Sequence, residues 1–235
     1  MQTVNIAGYK FVTLPDVSER RVLFQNEANH RSLKGTILLS AEGINVNLAG
    51  ASDDIDAFVR FLREDPLLAD MTFRQSYSKD MPFKRMQVKI RKEIITLRQP
   101  GIHPEQEEAP ALLPQELKQW LDENRDITLL DTRNEYEVKF GTFEKARHLQ
   151  LNDFSEFPSA IDSLPKDKPV VMFCTGGIRC EKAALVMLKA GYSTVYQLKG
   201  GILNYFATVG GAHYAGDCFV FDERIAVNAK LEPTG

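Results

Sequence analysis

Cys174 closes the apolar run Pro169-Val-Val-Met-Phe and opens the loop Thr175-Gly176-Gly177-Ile178-Arg179. A helical pattern begins at Ile178 and continues to Lys189. A sulfur at such a junction faces loop N–H groups and the positive end of the helix dipole. Gly176 and Gly177 let the backbone curl so that several N–H groups converge, and Arg179 adds a fixed positive charge. Each of these features favours thiolate over thiol. The expected chemistry is that of a nucleophile that carries a transferred atom or forms a covalent adduct. A buried cysteine packed as a small hydrophobe is the competing reading. The strand, Cys, Gly-Gly, Arg, helix order argues against it.

Two further cysteines surround this reading. Cys180 follows Arg179 directly, and a helix places it in the packing behind the loop, with a resolving role as the alternative. Cys218 carries no assigned role. Asp131 ends the apolar run Ile127-Thr-Leu-Leu and is followed two residues later by Arg133. Metal and cofactor signals are poor. His103-Pro-Glu105 has the form of two ligands of a facial iron triad but sits in a proline-rich stretch, so no metal is expected. No G-x-G-x-x-G fingerprint is present, and no cofactor is evident.

The elements that position these groups fall into two sets. Residues 1–98 read as a β-α-β-β-α-β order, the pattern of a ferredoxin-like α+β sandwich. Val4–Leu14 is strand-like. Asp16–Ser32 is helix-like, with Val17, Val22, Leu23 and Phe24 as apolar positions. Gly35–Ala41 and Val46–Ala49 are strands. A helix capped by Ser52 or Asp53 carries Ile55, Phe58, Val59 and Leu62, and Met71–Tyr77 and Met86–Ile90 supply further strands. Residues 99–111 have the proline, glycine and acidic content of a linker. Residues 112–212 alternate short apolar strands with helices, which implies parallel βαβ units. In such sheets sites gather beyond the carboxyl ends of the strands, where Asp131 and Cys174 both fall. Residues 213–235 form a C-terminal segment. The fold class is thus α/β: a ferredoxin-like domain followed by a parallel-sheet domain.

Composition sets the outer bounds. The chain has 235 residues, 43% of them hydrophobic and 26% charged, which is an ordinary globular balance with room for two domains. A net charge of -3 argues against a surface wholly given to coating nucleic acid and leaves room for a local basic patch. No apolar run reaches the roughly 20 residues of a membrane span. No basic-then-apolar leader is seen. Three cysteines disfavour a disulfide scaffold, so a reducing cytoplasm is the default.

The C-x4-R loop resembles the active-site loop of single-domain rhodaneses. Upstream, Asp131-x-Arg133-x-x-x-Glu137 resembles their strand-end signature, and Leu198-Lys199-Gly200-Gly201-Ile202 resembles their glycine-bearing strand-to-helix turn. The likeness implies a rhodanese-like domain in which Asp131 and Arg133 hold loops through an ion pair. Four motifs extend it: Gly35-Thr-Ile-Leu-Leu-Ser-Ala-Glu-Gly-Ile-Asn45, Val88-Lys-Ile-Arg-Lys-Glu-Ile94, Cys174-Thr-Gly-Gly-Ile-Arg-Cys-Glu-Lys-Ala183 and Gly216-Asp-Cys-Phe-Val-Phe-Asp-Glu-Arg224. Together they are similar to the bacterial tRNA uridine(34) hydroxylase family, in its short form without the cysteine-rich C-terminal extension.

That resemblance implies oxygen-dependent conversion of the wobble uridine of tRNA to 5-hydroxyuridine, with molecular oxygen as co-substrate and Cys174 as catalytic residue. The partner implied is the anticodon region of tRNA; no membrane partner is expected. Lys84, Arg85, Lys89, Arg91 and Lys92, with Lys79 and Arg98 nearby, form a basic cluster suited to phosphate contacts, although a charged strand edge has the same look. Phe73, Tyr77 and Phe83 are candidates for stacking on bases, with core packing favoured for each. The alternative activity is a sulfurtransferase that carries sulfane sulfur as a Cys174 persulfide. A third reading, a non-catalytic binding module on a rhodanese scaffold, is opposed by the intact Cys174 and Arg179.

Overall fold

The structure is a computed structural model, and it describes residues 2–234. It divides into two compact units, 1–94 and 95–235.

The first unit holds β1 (Thr3–Phe11), α1 (Val17–His30), β2 (Lys34–Ser40), β3 (Gly43–Gly50), α2 (Ser52–Arg63), β4 (Arg74–Ser78) and β5 (Met86–Ile90). The sheet order is β4-β1-β3-β2-β5. The first four strands pair antiparallel, as a ferredoxin-like sandwich requires, and β5 adds a parallel edge strand to β2 with Leu38 opposite Lys89. Ile37 and Leu39 of β2 and Ile44, Val46 and Leu48 of β3 occupy alternate positions and so share a face. Phe24 and Ala28 of α1 and Ile55, Phe58 and Leu62 of α2 bury that face.

Two details depart from the sequence reading. Val22 and Leu23 are exposed, because residues at successive 100° steps of a helix cannot all face one sheet and Phe24 takes that place. Helix α2 starts after Ala51, and no side chain caps it.

The second unit holds β6 (Ala111–Leu112), α3 (Pro114–Asp122), β7 (Thr128–Asp131), α4 (Glu135–Val138), β8 (Gly141–Phe143), β9 (Arg147–His148), α5 (Phe157–Ala160), β10 (Val170–Phe173), α6 (Ile178–Lys189), β11 (Val195–Leu198), α7 (Gly201–Val209), β12 (Tyr214–Gly216), β13 (Cys218–Phe219) and β14 (Ala226–Val227). Its main sheet runs β6-β11-β10-β7-β9, all parallel. Every residue of β7 and β10 is buried, which explains their unbroken apolar runs: helices cover both faces. Leu130, Val170 and Met172 face Ala183, Ala184 and Met187 of α6. Leu129, Val171 and Phe173 face Leu117 of α3 and Ile202, Tyr205 and Phe206 of α7.

The segment 99–111, linker-like in composition, packs into this unit. Ile102 and Ala109 are buried in the core, the Pro110 carbonyl accepts a bond from the Gln197 N–H at 2.9 Å, and Ala111 pairs with Gln197. Two apolar residues suffice to anchor a stretch whose average composition is that of a loop. The segment after residue 212 is likewise built in. Tyr214–Gly216 pairs with Gly141–Phe143, and Cys218, Val220 and Val227 enter the core around α7.

Candidate active site

Parallel pairing sets Phe173 opposite Asp131, so Cys174 and Thr132 leave adjacent strands at the same end of the sheet. Past that end the chain turns through Thr175 and Gly176 to Gly177, whose φ of 102° only glycine adopts readily, and α6 begins. The Gly177 N–H donates to the Cys174 sulfur at 3.1 Å. The outer side of the loop is tied to α7. The Ile202 N–H donates to the Cys174 carbonyl at 2.9 Å, and the Leu203 N–H to the Thr175 carbonyl at 3.1 Å. This close approach requires Gly201: at its φ of 65° a Cβ would meet the Cys174 carbonyl oxygen at 2.4 Å.

The sulfur is fully buried, and burial pushes its pKa up. Burial is the largest single influence, but those that oppose it outweigh it together. The Cys180 thiol donates to it, the Arg179 charge attracts it, and the N–H groups of Arg179 and Gly177 point at it. The balance lowers Cys174 from an ordinary 9.0 to about 6. Cys180 moves the other way: burial and the neighbouring Cys174 sulfur hold it well above the usual thiol range. Its sulfur also lies 3.7 Å from the Thr132 hydroxyl, which itself donates to the Phe173 carbonyl at 3.0 Å. Cys180 thus packs behind the loop and serves the thiolate as a hydrogen-bond donor.

Arg179 is 4% exposed and does not stand alone. Its guanidinium grips Glu137 with two bonds, Nη1 to Oε1 and Nη2 to Oε2, the latter 2.8 Å. Glu137 is fully buried; it also accepts from the Asn134 N–H at 3.1 Å and from the Thr175 hydroxyl at 3.3 Å. Burial opposes the Arg179 charge and Glu137 overcomes it, so the cation is held firmly protonated. No role for Glu137 is apparent from composition or periodicity. Its signal is the spacing Asp131-x-Arg133-x-x-x-Glu137, which places it at the third position of α4.

Asp131 and Arg133 form a second buried pair. Arg133 Nε donates to Asp131 Oδ1 at 2.9 Å and Nη2 to Oδ2 at 2.6 Å; Nη2 also reaches the Gly141 carbonyl at 2.7 Å. The Thr142 hydroxyl donates to Asp131 at 2.7 Å. These bonds tie the end of β7 to β8. Cys218 is buried beside this pair, and burial pushes it up to about 12, so it is a thiol rather than a second nucleophile at neutral pH.

In the first unit, Lys84, Arg85, Arg91 and Lys92 are exposed and Lys89 is half-buried. They line edge strand β5 and its flanks, where the Arg91 N–H extends the ladder with a bond to the Leu39 carbonyl at 2.8 Å. Tyr77 lies in β4 at the opposite edge of the sheet, so the fold does not join it to the basic cluster. Phe73 packs against the core. His103 Nδ1 and Glu105 Oε1 pair with each other at 3.2 Å.

Residues 3–94 match the family described as UPF0176 acylphosphatase like domain, and residues 113–208 match the rhodanese-like domain family. A protein of Cupriavidus metallidurans named tRNA uridine(34) hydroxylase is 51% identical over 243 residues, covering 100% of this chain and 86% of the relative. A Burkholderia pseudomallei protein of the same name is 50% identical over 246 residues, covering 100% of this chain and 82% of the relative. Both domains, in this order, are therefore shared along the whole chain, and the chain belongs to the tRNA uridine(34) hydroxylase family.

Proposed function

We propose that this chain hydroxylates C5 of the wobble uridine of tRNA, with Cys174 as the nucleophile and molecular oxygen as co-substrate. The observation that carries the reading is the identity of about half of all residues with tRNA uridine(34) hydroxylases over the full chain. The chemistry rests on a thiolate that is already ionised near neutral pH.

Uracil C6 is electron-poor, and a thiolate adds to it to form a C–S bond. The electron pair displaced from the C5–C6 double bond makes C5 nucleophilic towards an oxygen species. Loss of the C5 proton and departure of the Cys174 thiolate then restore the double bond. One oxygen atom stays on C5; the other leaves as water, taking two electrons and two protons from a reductant. Arg179 and the loop N–H groups stabilise the sulfur as an anion both before addition and on departure. Asp131 and Arg133 hold the strand end and take no part in bond making.

We assign recognition of the anticodon region to phosphate contacts by Lys84, Arg85, Lys89, Arg91 and Lys92, and place the enzyme in the cytoplasm with its substrate. Mass spectrometry of tRNA nucleosides tests the whole reading. Cells lacking the protein should lose 5-hydroxyuridine and its derivatives. Wild-type chain should restore them and Cys174→Ala should not. Restoration by Cys174→Ala removes the nucleophile from the mechanism, and loss of 2-thiouridine instead points to sulfur transfer.

A further inference from the structure

The second unit exposes five large apolar side chains among its described residues: Leu113, Tyr136, Phe140, Phe221 and Ile225. Three of them are aromatic and belong to one connected group. Tyr136 meets Phe219 at 5.3 Å between ring centroids, Phe140 meets Phe219 at 5.4 Å, and Phe221 meets Phe219 at 5.2 Å. Tyr136, Phe140 and Phe221 are 44%, 40% and 57% exposed.

The group is held in place by its backbone. Alternation along β13 and the residues after it sends Cys218 and Val220 into the core and leaves Phe221 outside. The Asp217 N–H donates to the Phe140 carbonyl at 2.8 Å, and the Val220 N–H to the Ile225 carbonyl at 2.8 Å. The rings also abut the catalytic loop. The Arg179 guanidinium, whose charge stabilises the Cys174 thiolate, lies over the Phe221 ring at 5.8 Å.

We infer that Tyr136, Phe140, Phe219 and Phe221 form a stacking platform for unpaired nucleobases that flank the target base in single-stranded RNA. The inference rests on the reading that the substrate is RNA, and it names which residues hold that RNA beside Cys174. Exposed aromatic side chains gathered into one connected group, rather than scattered singly, are the kind of surface that ligands cover. Its continuity with the Arg179 loop selects the occupant. A base that reaches Cys174 must leave its stack, and its neighbours then need new π-faces. Aromatic rings take any base, because every base presents a π-face. Lys139, next to Phe140 in sequence, has a side chain 69% exposed and only a surface ion pair with Glu135 at 3.3 Å, so it is available to a phosphate.

The test is fluorescence anisotropy of a fluorescein-labelled anticodon stem-loop RNA titrated with the full chain over a range of salt. Phe221→Leu keeps an apolar side chain but removes the ring, and it should weaken binding about tenfold, as loss of one stacked base does. Phe221→Trp should bind as wild type or more tightly. The slope of log affinity against log salt should not change, because every phosphate keeps its cation. Tyr136→Leu should repeat the result from the other side of Phe219. Urea unfolding of each variant should stay cooperative with a midpoint close to that of the wild type, showing an intact fold. Unchanged affinity in both leucine variants overturns the platform, as does weaker binding accompanied by a smaller salt slope. Capture of a partner protein by these rings, with RNA affinity unaltered, overturns it as well. Failure of the hydroxylase reading is seen separately: wild-type chain would bind the stem-loop through the platform and yield no 5-hydroxyuridine in cells.

Discussion

Glu137 and Arg179 face each other through two parallel hydrogen bonds in a site with almost no solvent access. The bond spans 42 residues and joins the short helix after β7 to the first turn of α6. It fixes the guanidinium that stabilises the thiolate, so the position of the charge beside Cys174 is set from outside the loop.

Removing one member of such a pair leaves the other charge buried and alone. Glu137→Ala should therefore destabilise the chain by about 3–5 kcal/mol. Urea unfolding monitored by circular dichroism checks this. The double variant Glu137→Leu/Arg179→Met should be less destabilised than Glu137→Ala, because no charge is stranded. Equal midpoints for the two would mean that the pair is not the source of the destabilisation.

The pH dependence of Cys174 alkylation should be half-maximal near pH 6 and level well below the ordinary thiol midpoint of 9.0. Arg179→Ala removes a cation and Cys180→Ala removes a thiol donor, so each should move the midpoint upward. The folded pKa of Cys174 is depressed. Its contribution to stability is therefore fully present above the unfolded value of 9.0 and is lost as pH falls through about 6. Relative to Cys174→Ala, the wild type should gain stability between those two values. A midpoint unmoved in both single variants would leave the loop N–H groups as the only stabilising force.

Gly201→Ala should disrupt the loop from behind. The new Cβ would sit 2.4 Å from the Cys174 carbonyl and 2.7 Å from that of Thr175, both of them backbone atoms that cannot swing aside. The positive φ adds a further cost of about 1–2 kcal/mol. Thermal stability should fall, and Cys174 alkylation should slow at every pH. A variant with wild-type melting and reactivity would show that α7 does not set the loop.

Lys89→Ala/Arg91→Ala should weaken tRNA binding and flatten its salt dependence by about one unit of log–log slope for each phosphate that is no longer neutralised. Cys174 reactivity towards a small alkylating agent should not change. Normal binding at every salt concentration would make β5 a charged sheet edge and nothing more.

These residues differ in how far the sequence exposes them. The Cys174 loop is legible because all its determinants, strand, glycines, cation and helix, lie within a few residues. The ferredoxin-like order is legible because each strand and helix carries its own period. Glu137 is legible only as a letter in a spacing; its role depends on a partner 42 residues away. Composition misleads at 99–111, since Ile102 and Ala109 weigh little among prolines and carboxylates yet decide the packing. The aromatic group is illegible for a related reason. Tyr136 and Phe140 meet Phe219, and through it Phe221, only because β12 and β13 return to α4 and β8 after a long excursion.

The two carbonyls on the outer side of the loop, those of Cys174 and Thr175, are each satisfied by the first turn of α7. With Cys174 and Thr175 anchored through those carbonyls, the chain that follows is held where the Gly177 N–H lies 3.1 Å from the Cys174 sulfur. The polarity of the cradle is thus decided before any substrate arrives. When negative charge builds up or returns at the sulfur, no dipole has to rotate to meet it, so the reorganisation that water would need is already complete in the fold.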